Sequence, residues 1–139
     1  MPSQALTTKD GYPKLLRQIK NEIASGRKAI QHQQAVTYWK VGRLISRHLL
    51  KFDHRAGYGE QLFERLSKGL KVDKYTLHQS VKFYDTYPIV GARLQLDWAH
   101  YRRLISIPDP GQRRALERRA AVQKLSSREL SAEIKAEAP

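Results

Sequence analysis

The sequence predicts an all-α fold, a compact multi-helix domain built around a long central helix and containing a helix-turn-helix. Three observations carry that expectation. Apolar residues recur at i, i+3, i+4 and i+7 along most of the 139 residues, and no stretch alternates as a half-buried strand would. Helix start signals punctuate the chain: Asp73, Asp97, Asp109 followed by Pro110, and Ser126 with Glu129. Two short helical patterns on either side of Lys71-Val72-Asp73 leave room for only a brief turn between them.

Residues 1–10 read as a flexible N-terminal arm and residues 11–139 as a single helical domain. Asp10-Gly11-Tyr12-Pro13 is a helix entry with Pro in the first turn, and Leu15, Leu16, Ile19 and Ile23 follow at helical spacing. Ser25-Gly26 is expected to break or bend this first helix. A spine helix from about Arg27 to Phe52 comes next, with two packing sides. Ile30, Gln34, Thr37, Val41, Leu44, Ile45 and Phe52 form a broad stripe expected to be buried. Opposite them, Ala35, Trp39, Gly42 and Ser46 combine one large ring with small residues, which would let another backbone approach Gly42 closely.

Asp53 to Gly59 marks a tight connection; it lacks the Lys-Ser/Thr ending and the preceding strand of a phosphate loop. Glu60 to Leu70 should be helical with Leu62, Phe63, Leu66 and Leu70 inward, and Asp73 should cap a helix from Lys74 to Tyr87 that buries Leu77, Ser80, Val81 and Tyr84. Pro88 ends that helix, and Ile89 to Leu96 is a connection. A helix from Trp98 buries Trp98, Tyr101 and Ile105, a further one opens at Asp109-Pro110, and a last one holds Leu130 and Ile134.

Twenty-six Lys and Arg stand against 13 Asp and Glu, a net charge of +13 and a pI near 10.2. Divided after Leu70 the two parts carry +8 and +5, so the charge belongs to the body of the chain and not to a tail. Such a balance points to a polyanionic partner, and duplex DNA is expected over a membrane, because no apolar run has spanning length. The start Met1-Pro2-Ser3-Gln4 lacks a signal-peptide pattern, from which a cytoplasmic location is expected. There is no cysteine, and the five histidines show no metal-ligand spacing, so neither a metal nor another cofactor is expected.

Tyr75, His78, Gln79 and Lys82 share the outer side of the helix beginning at Lys74 and are the sharpest binding candidates. Gln pairs bidentately with adenine, Lys and His reach guanine or phosphate, and Tyr can meet a phosphate or a thymine methyl. The plainer alternative is a solvated helix face. Arg102, Arg103, Arg113 and Arg114, with Arg118 and Arg119, form a candidate phosphate-holding surface; the alternative is surface arginine paired with Glu117 or Asp109. Glu133-Ile134-Lys135 has a carboxylate one residue before a lysine, as in one nuclease motif, but lies on a predicted terminal helix where that chemistry has no second carboxylate. No catalytic residue is expected.

Read together, several segments resemble the N-terminal domain of the YhcG-like proteins, a bacterial family of uncharacterised helical domains often followed by a PD-(D/E)xK nuclease domain. The matching residues are Tyr38-Trp39 with Gly42 and Ile45; Gly57-Tyr58-Gly59 with Leu66 and Leu70; Leu77 with Phe83-Tyr84 and Tyr87; Trp98 with His100-Tyr101 and Leu104-Ile105; and Leu125-Ser126 with Arg128-Glu129-Leu130. Trp98-Ala99-His100-Tyr101 is the most specific piece. The resemblance implies a DNA-handling setting, such as mobile-element or phage defence, and a nuclease domain or subunit as partner. It carries over no catalytic residue, since the nuclease domain found in family relatives is not among these 139 residues. The expected function is therefore a non-catalytic DNA-binding domain; the alternative is a protein-interaction or dimerisation module using the Trp39/Gly42 face or exposed tyrosines. A homodimer is narrowly preferred to a monomer, since one short helix reads only one half-site, although no heptad seam stands out.

Overall fold

The computed structural model describes residues 11–52, 57–89 and 94–137, all of whose regular structure is helical. The expected arm, residues 1–10, lies outside the described residues, as do parts of the two connections, residues 53–56 and 90–93. The helices are α1 (Tyr12–Phe52), α2 (Tyr58–Leu70), α3 (Lys74–Thr86), α4 (Trp98–Leu104), α5 (Pro110–Val122) and α6 (Ser127–Glu137). By its internal packing the chain divides into two units, residues 1–31 and residues 32–139, with α1 continuous through both.

That continuity corrects the expected break at Ser25-Gly26. Neither residue forces a non-helical backbone: Gly26 costs about 1 kcal/mol relative to Ala inside a helix, which good helix formers on both sides can absorb. In the first unit Leu15, Leu16, Ile19, Ile23 and Ile30 are all exposed.

Of the two packing sides expected of α1, the one that carries Trp39 and Gly42 organises the second unit, joined by Ile45 of the broad stripe. Ala35, Trp39, Gly42 and Ile45 are its buried residues, whereas Leu44 and Phe52 of the stripe expected inside are exposed. Gly42 explains the choice. A Cβ at this position would sit 1.9 Å from the Ser80 carbonyl oxygen, so α1 and α3 cross backbone to backbone. The buried Ser80 is small enough for that crossing, and its hydroxyl donates to the Thr76 carbonyl at 2.9 Å instead of facing α1 unpaired. Beside the crossing, the Trp39 indole N–H donates to the Tyr87 carbonyl at 2.7 Å and the ring meets Tyr84 edge-on at 5.2 Å.

Two apolar clusters result. Ile45, Phe63 and Leu77 contribute one buried residue each from α1, α2 and α3, with Val41, Leu49, Leu62, Leu66, Val72 and Val81 around them. The larger cluster joins Trp39 and Phe83 to Trp98, Tyr101, Leu104, Leu116 and Leu130 of α4–α6. Phe83 stacks on Tyr101 at 4.8 Å; it had no place among the residues expected inside α3, where Val81 and Tyr84 are only half-buried. Leu70, expected inward, is exposed at the end of α2.

The start signals work as their chemistry requires. Asp73, Asp97 and Asp109 each accept an amide three residues on, from Thr76, His100 and Gln112. Ser126 and Glu129 exchange reciprocal bonds at 3.0 and 2.8 Å, a complete capping box before α6. Positive φ at Lys71 (58°) and Lys124 (53°) turns the chain sharply after α2 and α5.

Candidate nucleic-acid interface

Helices α2 and α3 meet through residues 71–73, and α3 is held on three sides. Leu77 faces α2, Ser80 faces α1, and Phe83 enters the larger core. The outward side includes a stripe at i, i+4 and i+7, Tyr75, Gln79 and Lys82, flanked by the exposed Lys74, His78 and Asp85. Tyr75 is 61% exposed and Lys82 is exposed, while Gln79 is half-buried, with its side-chain oxygen buried and without a partner among the described residues.

The other two candidates on α3 have structural duties. The His78 ring lies flat on Phe63, with centroids 3.8 Å apart and planes 16° apart, and so covers the apolar centre of the α2–α3 contact. Lys74 is ion-paired with Glu64 of α2 at 2.5 Å, which holds the Glu64 carboxyl below its ordinary range. Both groups are fully solvated, so the pair orients more than it stabilises. Sequence spacing gave no sign of either contact, because each joins residues of different helices. The α3 N-terminus is already capped by Asp73, which accepts from the Thr76 amide at 3.0 Å and its hydroxyl at 2.7 Å. The Asp73 carboxylate thus stands at the helix start, where it would compete with an incoming phosphate for the first-turn amides.

The arginines divide in the same way. Arg102 is exposed on α4, and its charge reaches Asp73 at the start of α3, so it belongs electrostatically with the α3 surface. Arg103, expected nearer solvent, is half-buried: it donates through Nε to Ser131 and through Nη1 to the Ala99 carbonyl at 2.8 Å, tying α4 to α6. Arg113 donates to the Ile107 carbonyl at 2.6 Å, closing the turn before α5. Arg119 bridges to Glu137 at 2.8 Å and Glu133 at 3.4 Å. Arg114 and Arg118 remain exposed on α5. Arg103, Arg113 and Arg119 thus each have partners within the fold, which are carbonyls, Ser131 and the carboxylates of α6 instead of Glu117 or Asp109.

Sequence reasoning also missed a buried polar group next to this surface. Burial pushes the Glu117 carboxyl above its ordinary range, and the neighbouring Tyr87 and Tyr101 hydroxyls and Arg113 draw it back only in part. Burial, with the Glu117 charge, pushes the Tyr101 hydroxyl up to about 12. The buried Tyr87 hydroxyl shifts in the same direction; it makes no geometric hydrogen bond, so its coupling to Glu117 is electrostatic. Nothing in this cluster is arranged as nucleophile, base and oxyanion donor. Among the described residues no three His, Asp or Glu side chains are placed to hold a metal ion, and no helix is long and apolar enough to cross a membrane.

Comparison with curated proteins gives no significant match, and comparison with solved structures gives none either. The family comparison matches the DUF1016 N-terminal domain over residues 14–138, nearly the whole chain and in keeping with the YhcG-like resemblance, and the chain belongs to that family.

Proposed function

We propose that the protein is a non-catalytic domain that binds duplex DNA, with α2 and α3 as a helix-turn-helix and α3 as the helix that enters the major groove. The observation that carries this reading is the three-helix packing around Ile45, Phe63 and Leu77, which leaves the Tyr75, Gln79 and Lys82 stripe of α3 outward on a chain of net charge +13. Tyr75 and Gln79, nearer the start of the helix, are the base-contacting residues, Gln79 once its half-buried amide turns outward; Lys82 and Arg102, with Arg114, contact phosphate. His78 and Lys74 hold α3 against α2. In the family's setting the domain would work in the cytoplasm and deliver a nuclease domain or subunit to its target in mobile-element or phage defence.

The test is fluorescence anisotropy with labelled duplexes over a salt series, after selection of preferred sequences from random duplexes. Binding that weakens steeply with salt is expected, and Gln79→Ala should narrow the gap between preferred and random DNA by about 1–3 kcal/mol. Absence of binding at low salt would sink the proposal. A second reading, a protein-interaction module, is favoured by the exposed apolar residues of α1 and no longer by Trp39 and Gly42, which are buried.

A further inference from the structure

The continuous α1 places Leu16, Ile19, Ile23, Gly26 and Ile30 on one line with alternating spacings of three and four, the a and d positions of two heptads. The expectation of a break at Ser25-Gly26 had concealed this line. Leu16 is 37%, Ile19 48%, Ile23 51% and Ile30 72% exposed, and four such side chains in a row form an apolar stripe of the kind that marks an association surface.

Charge decides what covers it. With Leu16, Ile23 and Ile30 at a, and Ile19 and Gly26 at d, the flanking g positions are Leu15, Glu22 and Ala29 and the flanking e positions are Lys20 and Arg27. In a parallel pair each g residue faces the e residue five positions on in the other chain, so Glu22 meets the partner's Arg27 twice by symmetry and no like charges oppose. An antiparallel pair would set e against e and g against g, placing Lys20 and Arg27 among like charges and Glu22 against its own kind. Lys14, Arg17 and Lys28 fall on outward positions and do not enter the seam. Gly26, with no side chain at mid-seam, lets two backbones come close there and would leave a void at the centre of a larger bundle.

We infer that two copies of this chain associate through α1, parallel and in register, along Leu16 to Ile30. Two heptads lie below the roughly three to four that sustain an autonomous coiled coil, so the association is reversible and concentration-dependent. It needs no DNA and stands whether or not the DNA reading does.

Sedimentation velocity on the full chain tests it. The mass should rise from 16.1 kDa toward twice that value as concentration increases, and Ile23→Glu or Ile19→Lys should abolish the rise while circular dichroism and the melting temperature show a folded chain. Orientation is read separately. The chain has no cysteine, so in Leu16→Cys, at the end of the seam, the single thiol should form an interchain disulfide under mild oxidation; an antiparallel pair would hold the two thiols about 20 Å apart. Glu22→Arg should weaken the dimer and Glu22→Arg with Arg27→Glu should restore it. A monomer at every concentration, a trimer or tetramer, or a dimer indifferent to Ile23→Glu would overturn the inference. So would a dimer that fails to cross-link through Leu16→Cys.

Discussion

Helices α3 and α5 have the same length, 13 residues, and each opens on an aspartate that caps it, yet they use their charge in different ways. Helix α5 carries four arginines but spends Arg113 on the Ile107 carbonyl and Arg119 on the carboxylates of α6. Helix α3 has only two lysines and ties one to Glu64, but its docking against α1, α2 and the larger core leaves a polar stripe in solvent. Formal charge therefore overstates what both helices offer a polyanion: Arg114 and Arg118 remain on α5, and Lys82 on α3. What a surface can bind depends on which cations the fold has not already used.

The contrast can be broken most forcefully at the seat of α3. Trp39→Ala removes a buried ring and its bond to the Tyr87 carbonyl, and should cost about 3–5 kcal/mol in denaturant unfolding. Gly42→Ala should cost about 1–3 kcal/mol, because the added methyl meets the Ser80 backbone and two helix backbones must move apart. An unchanged melting temperature in both variants would mean that α3 is not seated on α1 and that its outward stripe is undefined.

A third prediction concerns pH and the region of α4 to α6. His100 points Nδ1 at the Asp97 carboxylate and Nε2 at the Leu125 carbonyl, each at 2.7 Å. Burial opposes the charged ring, but these bonds outweigh it and raise its pKa above the ordinary 6.5; burial likewise opposes the Asp97 charge, and the bonds from His100 lower that carboxyl below 3.8. The histidine's contribution is complete below 6.5 and is lost as pH rises through its folded-state value. That of the aspartate is complete above 3.8 and is lost as pH falls through its own folded value. Stability from the pair should thus be greatest between those two ordinary values. Melting curves over pH should show His100→Ala removing the alkaline-side loss. The smallest effect is expected on α5: Arg119→Ala should cost less than about 1 kcal/mol, since its carboxylate pairs are partly solvated.

Residues whose role is local were legible in the sequence. The caps at Asp73, Asp97, Asp109 and Ser126 were, and so was the close approach at Gly42, because a small residue beside a large ring on one helix side has few other uses. That the broad stripe of α1 would stay partly outside the core was not, since periodicity reports that a stripe exists and not what lies opposite it; Leu44 and Phe52 have the right spacing and stay exposed. The candidate site divided along the same line. Tyr75 and Lys82 could be picked out from the α3 register alone. The stacking of His78 on Phe63, the Lys74–Glu64 pair and the tie from Arg103 to Ser131 depend on tertiary partners that no spacing rule connects.

The most direct measurement is the salt dependence of duplex binding by the parent chain, Lys82→Ala and Arg119→Ala, with folding verified for each. If α3 meets the DNA, Lys82→Ala should weaken all sequences alike and lower the slope of log affinity against log salt by about one. Arg119→Ala, whose charge is already met by Glu133 and Glu137, should leave the slope as it is. An unchanged slope in Lys82→Ala, or a reduced slope in Arg119→Ala alone, would contradict the account.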